Sequence, residues 1–108
     1  MPRYMKLVRD RIPELIAASG KSFDLRRLSD EEWKGALQSK LQEEVAEYLR
    51  ASPGAAAVEE LADVLEVLYA LSTLEGVPPQ QLEQMRLQKR AQRGGFEGRM
   101  FLEHVEDA

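Results

Sequence analysis

The strongest constraint in this sequence is a set of carboxylates embedded in the apolar faces of two neighbouring helical segments. They occur in two short motifs, Glu43-Glu44-Val45-Ala46-Glu47 and Glu59-Glu60-Leu61-Ala62-Asp63. Glu44 and Glu47, like Glu60 and Asp63, are spaced so that both members of the pair share one helical face. On a helical wheel that starts at Trp33 and steps about 100° per residue, Trp33, Leu37, Leu41, Val45, Tyr48 and Leu49 span an apolar arc. Glu44 falls inside that arc, between Trp33 and Leu37. In the second segment Leu61, Val64, Leu65, Val67, Leu68, Leu71 and Leu74 cover most of the wheel. Glu60 lies between Val67 and Leu71, and Asp63 lies beside Leu74. An unpaired carboxylate buried between helices costs on the order of several kcal/mol. A group of them needs a cation, so the pattern reads as a divalent-metal site between two packed helices. Glu59 and Glu66 fall further from the apolar arcs and read as surface acids. Glu43 reads either as a surface acid or as a helper that positions water.

Composition narrows the choice of metal. The chain has no Cys, which excludes disulfides, thiolate sites and Cys nucleophiles. The single His, His104, lies in the tail, so a His-rich zinc site is excluded as well. Oxygen ligands remain, and they favour magnesium, manganese or calcium. No apolar run approaches the length of a membrane span and no signal peptide is visible. The expectation is a soluble cytoplasmic protein with no membrane partner. A length of 108 residues suits a single domain, residues 1–108, with one core.

Turn and cap signals divide the chain into helices. Residues from Tyr4 to Val8 form a short, extended arm. Pro13 suits the first turn of a helix to about Ser19, and Gly20 suits its C-terminal cap. Residues Lys21 to Leu28 alternate weakly and read as loop or a short strand. Ser29-Asp30-Glu31-Glu32 is a capping-box pattern that opens a second helix to about Arg50. Ser52-Pro53-Gly54 is a turn. A third helix runs from about Ala56 to Glu75 and is closed by Gly76. Pro78-Pro79 starts a fourth, to about Gln92, which Gly94-Gly95 ends. Phe96, Met100, Phe101 and Leu102 give the tail enough apolar surface to dock somewhere. The class is therefore all-α, an antiparallel helical bundle built on the second and third helices. The third helix is apolar over most of its circumference, more than one small chain readily covers. A homodimer or tetramer is expected.

The net charge of −4 argues against a nucleic-acid partner. Its distribution is uneven: the middle is acidic, and both ends are basic. The N-terminal arm carries Arg3, Lys6, Arg9 and Arg11, and the stretch after the third helix carries Arg86, Lys89, Arg90, Arg93 and Arg99. This is either generic balance on a solvated surface or a set of cations brought over the acidic middle, where metal and guanidinium together would suit a polyphosphate. In Lys89-Arg90-Ala91-Gln92-Arg93-Gly94-Gly95-Phe96, Lys89 and Arg93 share a helix face. By itself this segment reads as a helix C-terminus with favourable cations and a Gly cap. The alternative is an anion site with close backbone approach at the Gly pair.

The acidic motifs resemble those of the MazG-like superfamily of all-α nucleotide pyrophosphohydrolases, whose signature is ExxE, a spacer and ExxD on two antiparallel helices. Here the spacer is the twelve residues from Tyr48 to Glu59. The flanks Tyr4-Met5-Lys6-Leu7-Val8-Arg9-Asp10-Arg11-Ile12-Pro13 and Lys89 through Phe96 resemble a compact subgroup described as phosphoribosyl-ATP pyrophosphohydrolase-like. The resemblance implies Mg²⁺-dependent hydrolysis, with Mn²⁺ as a substitute, of a nucleoside triphosphate to monophosphate and pyrophosphate, as in the clearing of unwanted nucleotides. By matching positions it implies Glu44, Glu47, Glu60 and Asp63 as metal ligands and Glu43 as a further catalytic acid. Lys6, Arg9, Lys89 and Arg93 would bind the phosphates of the nucleotide. The segment after Asp63, Val-Leu-Glu-Val-Leu-Tyr, lacks a His expected in true phosphoribosyl-ATP pyrophosphatases. Phosphoribosyl-ATP hydrolysis in histidine biosynthesis is accordingly the second reading. A non-catalytic helical dimer that binds metal or nucleotide is the third.

Overall fold

The computed structural model describes residues 5–107. Arg3 and Tyr4, at the start of the basic arm, lie outside the described residues. Among the described residues the regular structure is entirely helical: α1 (Ile12–Ala18), α2 (Asp30–Arg50), α3 (Ala55–Leu74) and α4 (Pro79–Arg93). Residues 21–29 form a loop, with no strand.

The helix ends follow from local chemistry. Ser29 is extended (φ −66°, ψ 167°), its hydroxyl accepts from the Glu32 amide, and the Glu32 carboxylate accepts from the Ser29 amide, so both halves of the capping box are formed. Three acids in the first turn and Arg50 in the last complement the helix dipole. After α3, Gly76 takes φ +89°, a left-handed conformation that glycine adopts without strain. The Ser72 hydroxyl closes that turn by donating to the Val77 carbonyl. Pro79 occupies the first turn of α4, where its missing amide hydrogen is not needed.

α2 and α3 form a full-length antiparallel hairpin. Lys34, near the start of α2, lies 3.1 Å from Glu75, which caps α3. Facing positions on α3 are Glu60, Asp63, Val64, Val67, Leu71 and Leu74, at least half-buried along one stripe. On α2 they include Trp33, Leu37, Leu41 and Glu44. The core is thin: among the described residues only Leu37 and Val67 are buried apolar side chains. Val58, Leu61, Leu65 and Leu68 form a second stripe on the outer face of α3, and all are exposed. α4 packs against α3 only, and α1 packs against none of the other helices.

The tail departs from expectation. Phe96, Met100, Phe101, Leu102 and Val105 are each at least three-quarters exposed rather than docked. Gly94 (φ +82°) turns the chain off the end of α4, and the Arg90–Glu97 ion pair (2.9 Å) ties the tail's start to α4. The radius of gyration is 18.6 Å, against roughly 13 Å for a compact domain of this length. No helix among the described residues is long and apolar enough to cross a membrane.

Candidate metal centre

The hairpin brings the two acidic motifs together. Glu43, Glu44 and Glu47, from adjacent turns of α2, offer oxygens within 4.8 Å of one another. Glu44, Glu60 and Asp63 form a second such group across the α2–α3 seam. The groups overlap at Glu44, the one buried charged side chain among the described residues, at 7% exposure. Its position follows from the helical wheel: one turn after Lys40 and two turns after Leu37, it shares their face. Glu59 and Glu66 are exposed, on the outer side of α3.

Burial leaves these acids incompletely satisfied. Glu44 Oε2 and Glu60 Oε2 are both shielded from solvent and have no hydrogen-bond partner. Burial and the neighbouring Glu47 and Asp63 carboxylates push the Glu44 carboxyl above its ordinary range, with Lys40 opposing. Glu60 is pushed up by burial and by Glu47, which is in hydrogen-bonding contact with it, with Asp63 and Glu44 adding to the effect. Stranded acceptors of this kind cost on the order of 1–3 kcal/mol each. An all-oxygen donor set with two such acceptors fits a hard divalent cation, as Mg²⁺ or Mn²⁺ sites do.

Among the described residues Lys40 and Arg9 pair with these acids. Lys40 Nζ lies 3.5 Å from Glu44 and 3.4 Å from Glu43, and its side chain is only 18% exposed. Sequence reasoning did not select Lys40. The signal was present, since Lys40 precedes Glu43 and Glu44 at i+3 and i+4 spacing, where a lysine meets an acid on the same helical face. Arg9 reaches across from the N-terminal arm, and its guanidinium donates to Asp63 Oδ1 at 2.5 Å. Lys6 lies earlier on that arm. Lys89 and Arg93 are exposed on the last turns of α4. Among the described residues neither forms an ion pair with the carboxylates, and α4 does not contact α2.

Comparison with known proteins adds two findings. The family described as phosphoribosyl-ATP pyrophosphohydrolase matches residues 1–90, a span that includes the arm, both acidic motifs and most of α4. An uncharacterized protein of Mycolicibacterium smegmatis is 57% identical over 54 residues, which is 50% of this chain and 55% of that protein. The chain thus spans about half the length of this relative. No solved structure matches.

Proposed function

Because this chain belongs to the phosphoribosyl-ATP pyrophosphohydrolase family, we propose that it is a Mg²⁺-dependent nucleotide pyrophosphohydrolase acting in the cytoplasm as a single all-α domain. Its substrate on this reading is a nucleoside triphosphate, and its products are the monophosphate and pyrophosphate. The observation that carries the reading is Glu44: a buried carboxylate with a stranded oxygen, among three further acids on facing helices. A charge so placed is costly without a cation and well placed to hold one.

Glu44, Glu47, Glu60 and Asp63 would hold Mg²⁺, or Mn²⁺ in its place. A divalent cation bound there supplies neutralisation of phosphate charge and a water of lowered pKa. Glu43, beside Glu44 and tethered by Lys40, is suited to orient the attacking water and accept its proton. Attack at phosphorus forms one P–O bond and breaks the anhydride bond to the departing pyrophosphate. Arg9 and Lys6 on the arm would hold phosphate oxygens as charge builds on the leaving group. Lys89 and Arg93 are proposed for the outer phosphates.

The same reading includes a homodimer or tetramer. The stripe of Val58, Leu61, Leu65 and Leu68 repeats at alternating spacings of three and four residues, the pattern of a helix seam that meets another helix. With Leu37 and Val67 the only buried apolar side chains among the described residues, a second copy would supply the missing core.

Pyrophosphate release from a panel of nucleoside triphosphates with Mg²⁺ tests the proposal. Release from at least one of them, abolished by chelation, is the expected result. The family description makes phosphoribosyl-ATP the second substrate to include, and turnover of that compound alone would favour the histidine-biosynthesis reading. Metal and nucleotide binding with no pyrophosphate from any substrate would favour a non-catalytic helical dimer.

A further inference from the structure

The two cations beside the acids are held in different ways. Lys40 is on the same helix as Glu43 and Glu44, and its side chain is largely enclosed. Its position beside them is set by its own helix. Arg9 comes from an arm 54 residues away in sequence. Its own carbonyl accepts from the Ile12 amide at 3.0 Å, which fixes its backbone at the start of α1. Yet α1 packs against no other helix, so helix packing does not fix that backbone against the α2–α3 hairpin. The ion pair to Asp63 is open to water, with the two side chains 55% and 40% exposed. An exposed pair of this kind is weak and readily exchanged.

Asp63 belongs to the group of oxygens that spans the seam with Glu44 and Glu60. A divalent cation there attracts the Asp63 carboxylate more strongly than a singly charged, hydrated guanidinium does. We infer that Arg9 is an exchangeable counter-ion: it holds Asp63 while the site is free of metal, yields it to an entering divalent cation, and then binds the phosphate of the substrate that follows. The inference rests on the metal-centre reading proposed above. It makes metal binding the step that frees the phosphate ligand, and so orders the two binding events. A different role predicts the opposite sign. If Arg9 permanently oriented Asp63 as a ligand, its loss would weaken metal binding.

Calorimetric titration of the full chain with Mn²⁺ alone, for wild type and Arg9→Ala, separates the two roles. Helical circular dichroism establishes that the variant is folded, as an exposed position leads one to expect. Exchange predicts that Arg9→Ala binds Mn²⁺ about two- to fivefold more tightly, the range set by loss of one exposed competing ion pair. With Mn²⁺ saturating, the variant binds inorganic pyrophosphate about tenfold more weakly, as loss of one charge-assisted contact implies. In the wild type, amide exchange over residues 5–20 speeds up on addition of Mn²⁺ and slows again on addition of pyrophosphate. Equal or weaker Mn²⁺ binding by Arg9→Ala overturns the exchange. If the wild type itself does not bind Mn²⁺, the metal-centre reading falls and the exchange falls with it. Mn²⁺ binding by the wild type without tighter binding by the variant removes the exchange alone.

Discussion

At the scale of single residues, Glu44 concentrates the conflict between folding and chemistry. Replacing it with Gln keeps the shape and removes the charge. Without metal, Glu44→Gln should be more stable, by on the order of 1–3 kcal/mol, because the amide carries no charge beside Glu47 and Asp63 and can donate to those carboxylates. Turnover should fall by about two to three orders of magnitude, the scale of losing one preorganised electrostatic contact. Metal-free thermal melting and pyrophosphate-release kinetics on the same preparation check both. The raised carboxyls of Glu44 and Glu60 also set a pH dependence. The folded state holds these protons more tightly than the unfolded chain does. Their contribution to metal-free stability should therefore be greatest below the ordinary value of 4.5 and decline as pH rises through the raised values. Excess free divalent metal should flatten that slope, which urea melts across pH would reveal. The inward position of Glu44 was legible from helical periodicity, because its angle on the wheel depends only on its own helix. The contact of Arg9 with Asp63 was not, because a pairing between distant segments is set by how the arm crosses the hairpin.

At the scale of elements, caps and turns decided most of what the sequence made readable. Ser29, Pro53-Gly54, Gly76 and Gly94 are local signals, and each helix end fell within a residue or two of them. The start of α2 carries its own pH dependence, opposite in sign to that of the acids at the seam. Arg26, the nearest cation, and the Ser29 backbone and hydroxyl hold the Glu32 carboxyl down, from 4.5 to about 2. Its contribution is present above pH 4.5 and is lost as pH falls toward 2. Ser29→Ala should cost about 1 kcal/mol, typical for a lost N-cap, and should remove only the hydroxyl's smaller share of that acid dependence in thermal melts, since Arg26 and the backbone amide still hold Glu32 down. The outer stripe of α3 supports a third prediction. Leu61→Glu together with Leu65→Glu leaves the α2-facing stripe untouched, so the pair should lower the assembly state in light scattering more than it lowers helicity per chain. The tail escaped sequence reading for a related reason: a run of apolar residues says that a surface must be covered, but not which one.

At the scale of the whole molecule, the dimensions of 66 × 34 × 24 Å describe an open shape rather than a closed bundle. A closed α2–α3 hairpin, a sparsely packed α4 and an unattached α1 leave much of the apolar surface facing outward. If a second copy covers that surface, folding and association are one reaction, and the melting temperature depends on protein concentration. Raising the concentration a hundredfold should raise the midpoint by several degrees in calorimetry. A chain that forms its core alone would melt at the same temperature throughout. The periodicity of α3 made its two apolar sides foreseeable, one against α2 and one facing outward. What covers the outer side depends on how outer faces meet, which no single helix encodes.

The thin core has a consequence for the protein's quantity in a cell. If, as proposed, a second copy completes that core, association is bimolecular: the folded fraction grows with the amount synthesised, and unpaired chains are left to proteases. Low expression then yields less than a proportional amount of working enzyme, and high expression yields more. Two buried apolar side chains would thus turn a change in gene dosage into a steeper change in catalytic capacity.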